Sequence, residues 1–227
     1  MIQVTIGQEG DTSCHTFTVP KDLLASDSEY FRGMFRHNFK EVNKGVVNMP
    51  DVHPATFQMY LEYLYSGKIF SKDIQGEIEG ELEAKEYTDK ARKGQDIDPE
   101  FEAHCKEKLA LINAICLADY LQSDGFHNAS IDILIEICEE KDDYFPDWAV
   151  VMIVDSCVPL LVRLAQDFII HAGWGEWFTD RESLPDRCLQ FFLQVVGETT
   201  ELLSLTGRPF QPPWETDRCR YHRHGMD

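Results

Sequence analysis

Three short stretches near the N-terminus alternate apolar and polar residues, and they restrict the fold more than any other feature of this sequence. They are IQVTI at 2–6, HTFTV at 15–19 and VVNMP at 46–50. Alternation of this kind is typical of β-strands with one buried face. Helical patterns lie between the second and third stretches and continue through the rest of the chain. The sequence therefore predicts a small three-stranded sheet covered by α-helices, an α+β fold.

The segment between the second and third strands has more large apolar side chains than a short surface helix needs. Leu24, Phe31, Met34 and Phe35 recur at helical spacing, which indicates a buried stripe. Phe39 follows where this helix should already be ending. Two interpretations of Phe39 are open: its aromatic side chain covers the core, or it is presented to another protein.

Two more helices are predicted before the middle of the chain. The first begins near Pro54, which suits a first helical turn, and ends near Gly67, which suits a helix end. Its predicted apolar stripe comprises Phe57, Tyr60, Leu61, Leu64 and Tyr65. The second, KLALINAICLADYL at 108–121, is apolar on most sides. We expect it to be a central helix, with Gly125 breaking the chain after it.

Composition divides the chain into segments. We expect the domain that contains the sheet to span 1–138. Within it, residues 71–98 are charged and lose periodicity, so we expect a flexible, solvated insertion there. Helical patterns return at 146–205 as a C-terminal helical region. The Pro-rich tail at 206–227 is expected to be disordered.

The net charge of −19 is concentrated in the C-terminal half, where residues 109–205 contain 17 acidic and 4 basic side chains. Binding to nucleic acid requires clustered Lys and Arg, so we expect no nucleic-acid partner. No apolar run approaches the ~20 residues of a membrane span, and the N-terminus does not resemble a signal peptide. We therefore expect an intracellular protein, in the cytoplasm, the nucleus or both, with no membrane contact. The acidic half could attract a basic protein or simply aid solubility.

No recognisable chemical motif points to catalysis or to a metal. The seven cysteines are scattered and form no CxxC pair, so buried reduced thiols are the simpler interpretation. Cys219, His222 and His224 lie close together in the tail, but zinc would need a fourth ligand. Nucleophile-elbow, zinc-protease, Walker and dinucleotide motifs are absent from the sequence. We expect neither an enzyme nor a cofactor.

The sequence resembles the BTB/POZ domain family over 17–69 and again over 117–134. The shared pattern is L-L-x-S-x-S-x-x-F, then F-K-E, then P-D-V followed by Phe57, then Y-L-Y-S-G. This resemblance implies the BTB/POZ fold, a small three-stranded sheet flanked by α-helices, here with a C-terminal helical extension. It also implies a non-catalytic protein–protein interaction module that acts as a scaffold. The region at 146–205 is similar to single-module BTB proteins of the fungal type.

This sequence departs from the family pattern at two places, of which the second bears on self-association. Pro20 precedes Lys21 where the family usually has His. The sequence also begins at the first core strand, whereas many BTB homodimers use an additional N-terminal segment. We therefore expect a weak homodimer or a monomer.

The resemblance also implies a partner-binding site. BTB adaptors that recruit a cullin scaffold have an apolar residue, any residue and then Glu after the first long helix, and Phe39-Lys40-Glu41 stands at that place. An exposed aromatic can fill a partner's pocket, and a carboxylate can accept charge-assisted hydrogen bonds, so Phe39 and Glu41 are the predicted partner-binding residues. The alternative function is thus a substrate adaptor of a cullin-based ubiquitin ligase. The scaffold is favoured because no kelch repeat, MATH domain or zinc finger is present to bind a substrate.

Overall fold

The computed structural model describes most of the chain, in two compact units. The described residues are 1–8, 14–37, 45–72, 99–141, 145, 147–172, 185–204 and 211–224. Among them, the first unit comprises the residues up to 72 together with 99–133 and 223–224, and the second comprises the residues from 134 to 222.

A three-stranded sheet forms the base of the first unit. Its strands are β1 (Ile2–Ile6), β2 (His15–Val19) and β3 (Val46–Met49). β1 lies in the centre, antiparallel to β2 and parallel to β3. Alternate side chains of β1 point into the core, so Ile2, Val4 and Ile6 are buried, as period-two patterning requires. The predicted α+β fold with its small three-stranded sheet is confirmed.

The helix predicted after β2 is in fact two helices, α1 (Lys21–Asp27) and α2 (Glu29–Arg36). Ser28 separates them because its backbone is extended (ψ 122°), and its side chain caps α2 by accepting a hydrogen bond from the backbone N–H of Phe31 at 3.2 Å. The predicted buried stripe is only partly correct. Phe31 is fully buried, like Leu24, whereas Met34 and Phe35 on the second turn of α2 are half-buried.

α3 (Pro54–Ser66) begins and ends where the sequence predicts. Pro54 occupies the first turn, and Gly67 ends the helix in the left-handed region (φ 68°), where its N–H donates to the Tyr63 carbonyl at 2.7 Å. A glycine is favoured there because a side chain would strain this backbone. The expectation that Tyr65 belongs to the buried stripe is wrong, since 66% of Tyr65 is exposed.

α4 (Pro99–Leu121) is the central helix and is buried on most sides, as predicted. It is also the longest described helix, at 23 residues, but no helix among the described residues has the length and apolarity needed to cross a membrane. The chain turns at Gln122 (φ 51°) and Ser123. α5 (Asp124–Lys141) then follows, so Gly125, the expected break, lies inside a helix instead.

The described part of the second unit is helical. Beyond the end of α5, it contains α6 (Asp147–Ser156), α7 (Pro159–Ala172), α8 (Leu189–Ser204) and α9 (Pro213–Thr216), with 3-10 turns at Asp186–Cys188 and Arg218–Tyr221. Phe168 of α7 lies at the centre of the aromatic core of the second unit. The ring centroid of Phe168 is 5.4 Å from that of Phe145 and 4.1 Å from that of Trp214.

The expectation of a disordered tail at 206–227 is wrong for residues 211–224. Trp214 is buried against Phe168, and the buried Tyr221 donates a hydrogen bond from Oη to Asp167 Oδ2 at 2.7 Å. Two large aromatic side chains are sufficient to hold a short Pro-rich segment against a helix, because each removes a large apolar surface from water.

The charged insertion predicted at 71–98 lies outside the described residues from 73 onward. Its first residue belongs to the folded part. Ser71 is buried, and its hydroxyl donates to Glu107 Oε1 of α4 at 2.6 Å.

Candidate partner-binding surface

The two predicted partner-binding residues, Phe39 and Glu41, lie outside the described residues. The structure describes the elements on either side of them. α2 ends at Arg36, and the N–H of His37 donates to the Gly33 carbonyl at 3.1 Å. On the other side, the carbonyl of Gly45 accepts a hydrogen bond from the N–H of Gln3 in β1 at 2.9 Å.

Ser28 links the start of α2 to the end of α4. Its hydroxyl donates to the carbonyl of Leu121 at 2.6 Å while accepting from the N–H of Phe31. The N–H of Glu29 also donates to the carbonyl of Gln122, at 3.3 Å. These bonds satisfy backbone groups that a helix end otherwise leaves without partners, so the end of one helix positions the beginning of the other.

The carboxylate of Asp27 connects α1 to two further elements. It accepts a hydrogen bond from Tyr60 Oη of α3 at 3.1 Å and another from the hydroxyl of Ser123, just before α5. Burial raises the pKa of Tyr60 far above its usual value, and the neighbouring Asp27 charge raises it further. Tyr60 therefore remains a hydrogen-bond donor at any physiological pH, and this contact fixes the end of α1.

Gly125 allows α5 to approach this carboxylate. A Cβ atom at position 125 would lie 2.5 Å from Tyr63 Oη and 3.2 Å from Asp27 Oδ1. Real Cβ atoms do not approach other atoms so closely, so any side chain here would push Tyr63 or α5 away. Glycine is favoured here by the packing rather than by the backbone conformation.

The links between α2 and α4 place two tyrosines side by side at the surface. The rings of Tyr30 and Tyr120 have centroids 5.1 Å apart at an angle of 40°, and their hydroxyl oxygens are 3.3 Å apart. Tyr120 is 52% exposed, and Tyr30 is half-buried with its ring edge against Phe31. We call these two residues the tyrosine pair. Sequence reasoning missed it, because the two residues are 90 positions apart and Tyr120 lies in a helix that is apolar on most sides.

The cysteine and two histidines that lie close together in the tail sequence do not form a metal site. Cys219 and His224 are exposed, and His222 is half-buried. Within the part of the chain that the structure describes, no group of three or more metal-ligating side chains is close enough to hold an ion.

A family comparison identifies the sheet-bearing part of the molecule. The model of the BTB/POZ domain matches residues 5–90, a segment that contains most of the sheet together with α1, α2 and α3. This chain contains a BTB/POZ domain. The resemblance drawn from the F-K-E and Y-L-Y-S-G motifs is thereby confirmed, whereas the fungal-type subclass stays a prediction.

Individual proteins match the BTB domain over short stretches. The human Kelch repeat and BTB domain-containing protein 4 is 35% identical over 74 residues, which cover 32% of this chain and 13% of that protein. TD and POZ domain-containing protein 1 of Mus musculus is 35% identical over 54 residues, 24% of this chain and 15% of that protein. Kelch-like ECH-associated protein 1A of Danio rerio is 38% identical over 53 residues, 23% of this chain and 9% of that protein. The matched part of this chain thus spans at most 15% of the length of these three relatives.

Proposed function

We propose that this chain is a non-catalytic protein-interaction module, a BTB scaffold that binds other proteins through its helix surfaces. The tyrosine pair is the observation that carries this proposal. Aromatic side chains that combine an apolar ring with a polar hydroxyl are enriched in the centres of protein interfaces. Here the pair is held by backbone bonds at both helix ends, so little conformational entropy would be lost when a partner binds.

Site-specific photo-crosslinking tests the scaffold proposal. A benzophenone amino acid placed at Tyr120 should capture a discrete partner in cells, and Tyr30→Ala in the same chain should reduce that product at least roughly fivefold, since exposed aromatic anchors dominate interface energies. The matched control is the same probe at Tyr65, another exposed aromatic of the BTB domain. Equal labelling from both positions would show that the tyrosine pair is not a binding surface.

The second candidate function is a substrate adaptor of a cullin-based ubiquitin ligase. It is supported by Phe39-Lys40-Glu41, which follows the last residue of α2 by only a few positions. One of the relatives is a Kelch repeat and BTB domain-containing protein, and another is a Kelch-like ECH-associated protein. Within this sequence, the C-terminal helices are the candidate surface for a substrate.

Calorimetry with a cullin N-terminal domain separates the two candidates. An adaptor should bind with a Kd on the order of micromolar, and Phe39→Ala and Glu41→Lys should each weaken binding at least about tenfold, as loss of an interface anchor does. Lys40→Ala is the matched control, because the motif accepts any residue at that position. No binding by a folded wild-type chain would remove the adaptor function and leave the scaffold.

Self-association and location are further parts of the proposal. We expect a weak homodimer or a monomer, in the cytoplasm, the nucleus or both. Light scattering after size exclusion measures the oligomeric state, and a stable dimer at low micromolar concentration would contradict the expectation. Imaging of a fluorescently labelled chain shows its location, and accumulation in a secretory compartment would contradict the expected one.

A further inference from the structure

One face of α8 exposes three aliphatic side chains in a row. Leu189 is 58% exposed, Leu193 54% and Val196 48%. Their spacing of i, i+4 and i+7 places them on one side of the helix, and Phe191 and Val195 on the other side are buried in the second unit. We call the three exposed residues the aliphatic stripe.

Single exposed leucines are common and need no explanation, but three aligned over two helical turns are unusual. The stripe extends over about 10 Å at 1.5 Å per residue. This is the pattern by which one helix recognises another in helix-in-groove binding, with anchors at i, i+3 or i+4, and i+7. Thr200, one turn beyond Val196 on this face, carries no charge, so it does not oppose burial of the stripe.

Ion pairs on the inner side of α8 keep the stripe facing outward. Arg163 of α7 donates a hydrogen bond to Glu198 of α8 at 2.7 Å. Arg187, just before α8, donates a hydrogen bond from Nη2 to Asp155 Oδ2 of α6 at 2.8 Å. Burial opposes ionisation of Glu198, but hydrogen bonds from Arg163 and Gln194 outweigh it and lower its pKa. Glu198 is therefore an anion at neutral pH, and its pairing fixes the rotation of α8 about its axis.

The charge of this region selects the kind of partner. Among the described residues, 147–172 and 185–204 together contain six acidic and two basic side chains, so their field attracts cationic groups and repels anionic ones. A second copy of this chain would bring the same acidic region against itself. It would also need roughly 800 Å² of buried surface on each side for a stable dimer, which three half-exposed aliphatic residues do not supply.

We propose that the aliphatic stripe of α8 binds an amphipathic helix of another protein, whose apolar face is bordered by Lys and Arg. The apolar face covers Leu189, Leu193 and Val196, and the basic border lies in the acidic field of the surrounding helices. The aliphatic stripe shares no residue with the tyrosine pair or with Phe39 and Glu41. Failure of the cullin or crosslinking experiments therefore leaves it standing.

Fluorescence anisotropy with a designed peptide tests the proposal on the full chain. The probe is a labelled peptide of roughly 18 residues, five helical turns, with leucines at i, i+3, i+4 and i+7 and lysines on both borders. We expect a Kd on the order of tens of micromolar, a loss of at least roughly tenfold in the double variant Leu189→Gln/Leu193→Gln, and no loss in the exposed-aromatic control Tyr65→Gln. The same peptide with glutamates in place of lysines should bind at least about tenfold more weakly.

Several results would overturn the proposal. The first is that the lysine-bordered peptide does not bind. The second is that wild type and the double variant bind it equally, which would indicate charge attraction alone. If light scattering shows a dimer that the double variant abolishes, the occupant of the stripe is a second copy of the chain. If the chain binds phosphatidylcholine vesicles and the double variant abolishes that binding, the occupant is a membrane. Circular dichroism must show wild-type helicity for the double variant; otherwise Val196→Thr, which keeps the β-branched shape, takes its place in the same assay.

Discussion

At the scale of single residues, position 125 shows how one absent side chain organises the first unit. The hydroxyls of Tyr60 and Ser123 bond to the Asp27 carboxylate, and Gly125 lets α5 begin directly beside them. Because the helices are this close, the two hydroxyls and the carboxylate hydrogen-bond to one another directly. A methyl group at this position would separate partners whose hydrogen bonds depend on short distances.

We therefore expect Gly125→Ala to lower the free energy of unfolding by about 1–2 kcal/mol, as overpacking in a well-packed site does. Gly33→Ala is the control, because Gly33 lies in α2 with nothing within 4 Å of the added Cβ. Alanine favours helix over glycine by up to ~1 kcal/mol, so the control should be neutral or stabilising. Denaturant unfolding measures both. Equal effects of the two substitutions would contradict the packing argument.

His171 is a residue of the second unit whose charge should depend on folding. Burial and, to a smaller extent, the positive charge of Arg163 together lower the pKa of His171 to about 4. The unfolded chain, with the usual pKa near 6.5, then binds more protons between pH 6.5 and 4 than the folded chain. Stability contributed by neutral His171 is complete above pH 6.5 and is lost as the pH falls toward 4.

Between pH 7 and 5 this group should lower the free energy of unfolding by about 1–2 kcal/mol. His171→Gln should remove that part of the pH dependence. The raised pKa of the buried Asp167 acts in the opposite sense and the lowered pKa of Glu198 in the same sense, so the measurement is the difference between variant and wild type. Identical pH slopes for the two proteins would rule out the assignment to His171.

At the scale of elements, the position of α2 depends on one serine. Ser28 caps α2 and also bonds to the last carbonyl of α4, so a local helix signal and a contact across 93 positions of sequence use the same hydroxyl. The tyrosine pair follows from this arrangement, because Tyr30 and Tyr120 each lie next to one of the linked helix ends.

Ser28→Ala should lower the free energy of unfolding by about 1–2 kcal/mol, the cost of a lost N-cap together with a buried carbonyl left without its donor. It should also weaken any partner binding that depends on the tyrosine pair. Ser26→Ala is the control, since the Ser26 hydroxyl is exposed and bonds only within its own turn of α1 to Leu23. A Ser28 variant as stable as the Ser26 variant would show that the link between α2 and α4 is dispensable.

At the scale of the whole molecule, the segment at 211–224 contributes to both units. Within the second unit, Trp214 packs on Phe168 and Tyr221 bonds to Asp167. Within the first unit, the carbonyl and N–H of Arg223 exchange two hydrogen bonds with the side chain of Asn128, at 2.9 and 2.8 Å. A segment that the sequence predicted to be disordered is thus part of each core or its immediate border.

Trp214→Ala should lower the free energy of unfolding by about 3–5 kcal/mol, the range for removal of a buried large aromatic. Arg218→Ala, in the same segment, should cost only about 0–1 kcal/mol, because its ion pairs with Glu136 and Glu139 are partly exposed and such pairs contribute little. Thermal and denaturant unfolding of the two variants makes the comparison. If both substitutions had small effects, the tail would not be part of the folded structure.

Local signals predicted what depends on neighbours in the sequence. The alternation of β1, the proline start of α3 and the glycine end at Gly67 were all evident, because each reflects a backbone preference within a few residues. Tyr65 and Gly125 were misjudged, because helical spacing shows which residues share a face but not whether another element covers that face. The tail was predicted to be disordered because it is rich in proline, and the prediction gave too little weight to Trp214 and Tyr221, which are buried.

The sequence by itself determined the α+β class, the three strands, the BTB/POZ motifs and the acidic character of the C-terminal half. These follow from patterning, composition and motif spacing, which are properties of the unfolded chain as much as of the folded one. Only the tertiary structure decided that Tyr30 meets Tyr120, that Asp27 joins α1 to α3 and to the start of α5, and that Leu189, Leu193 and Val196 remain uncovered. Contacts and exposure of this kind depend on which surfaces meet when the chain folds, and no local preference specifies that.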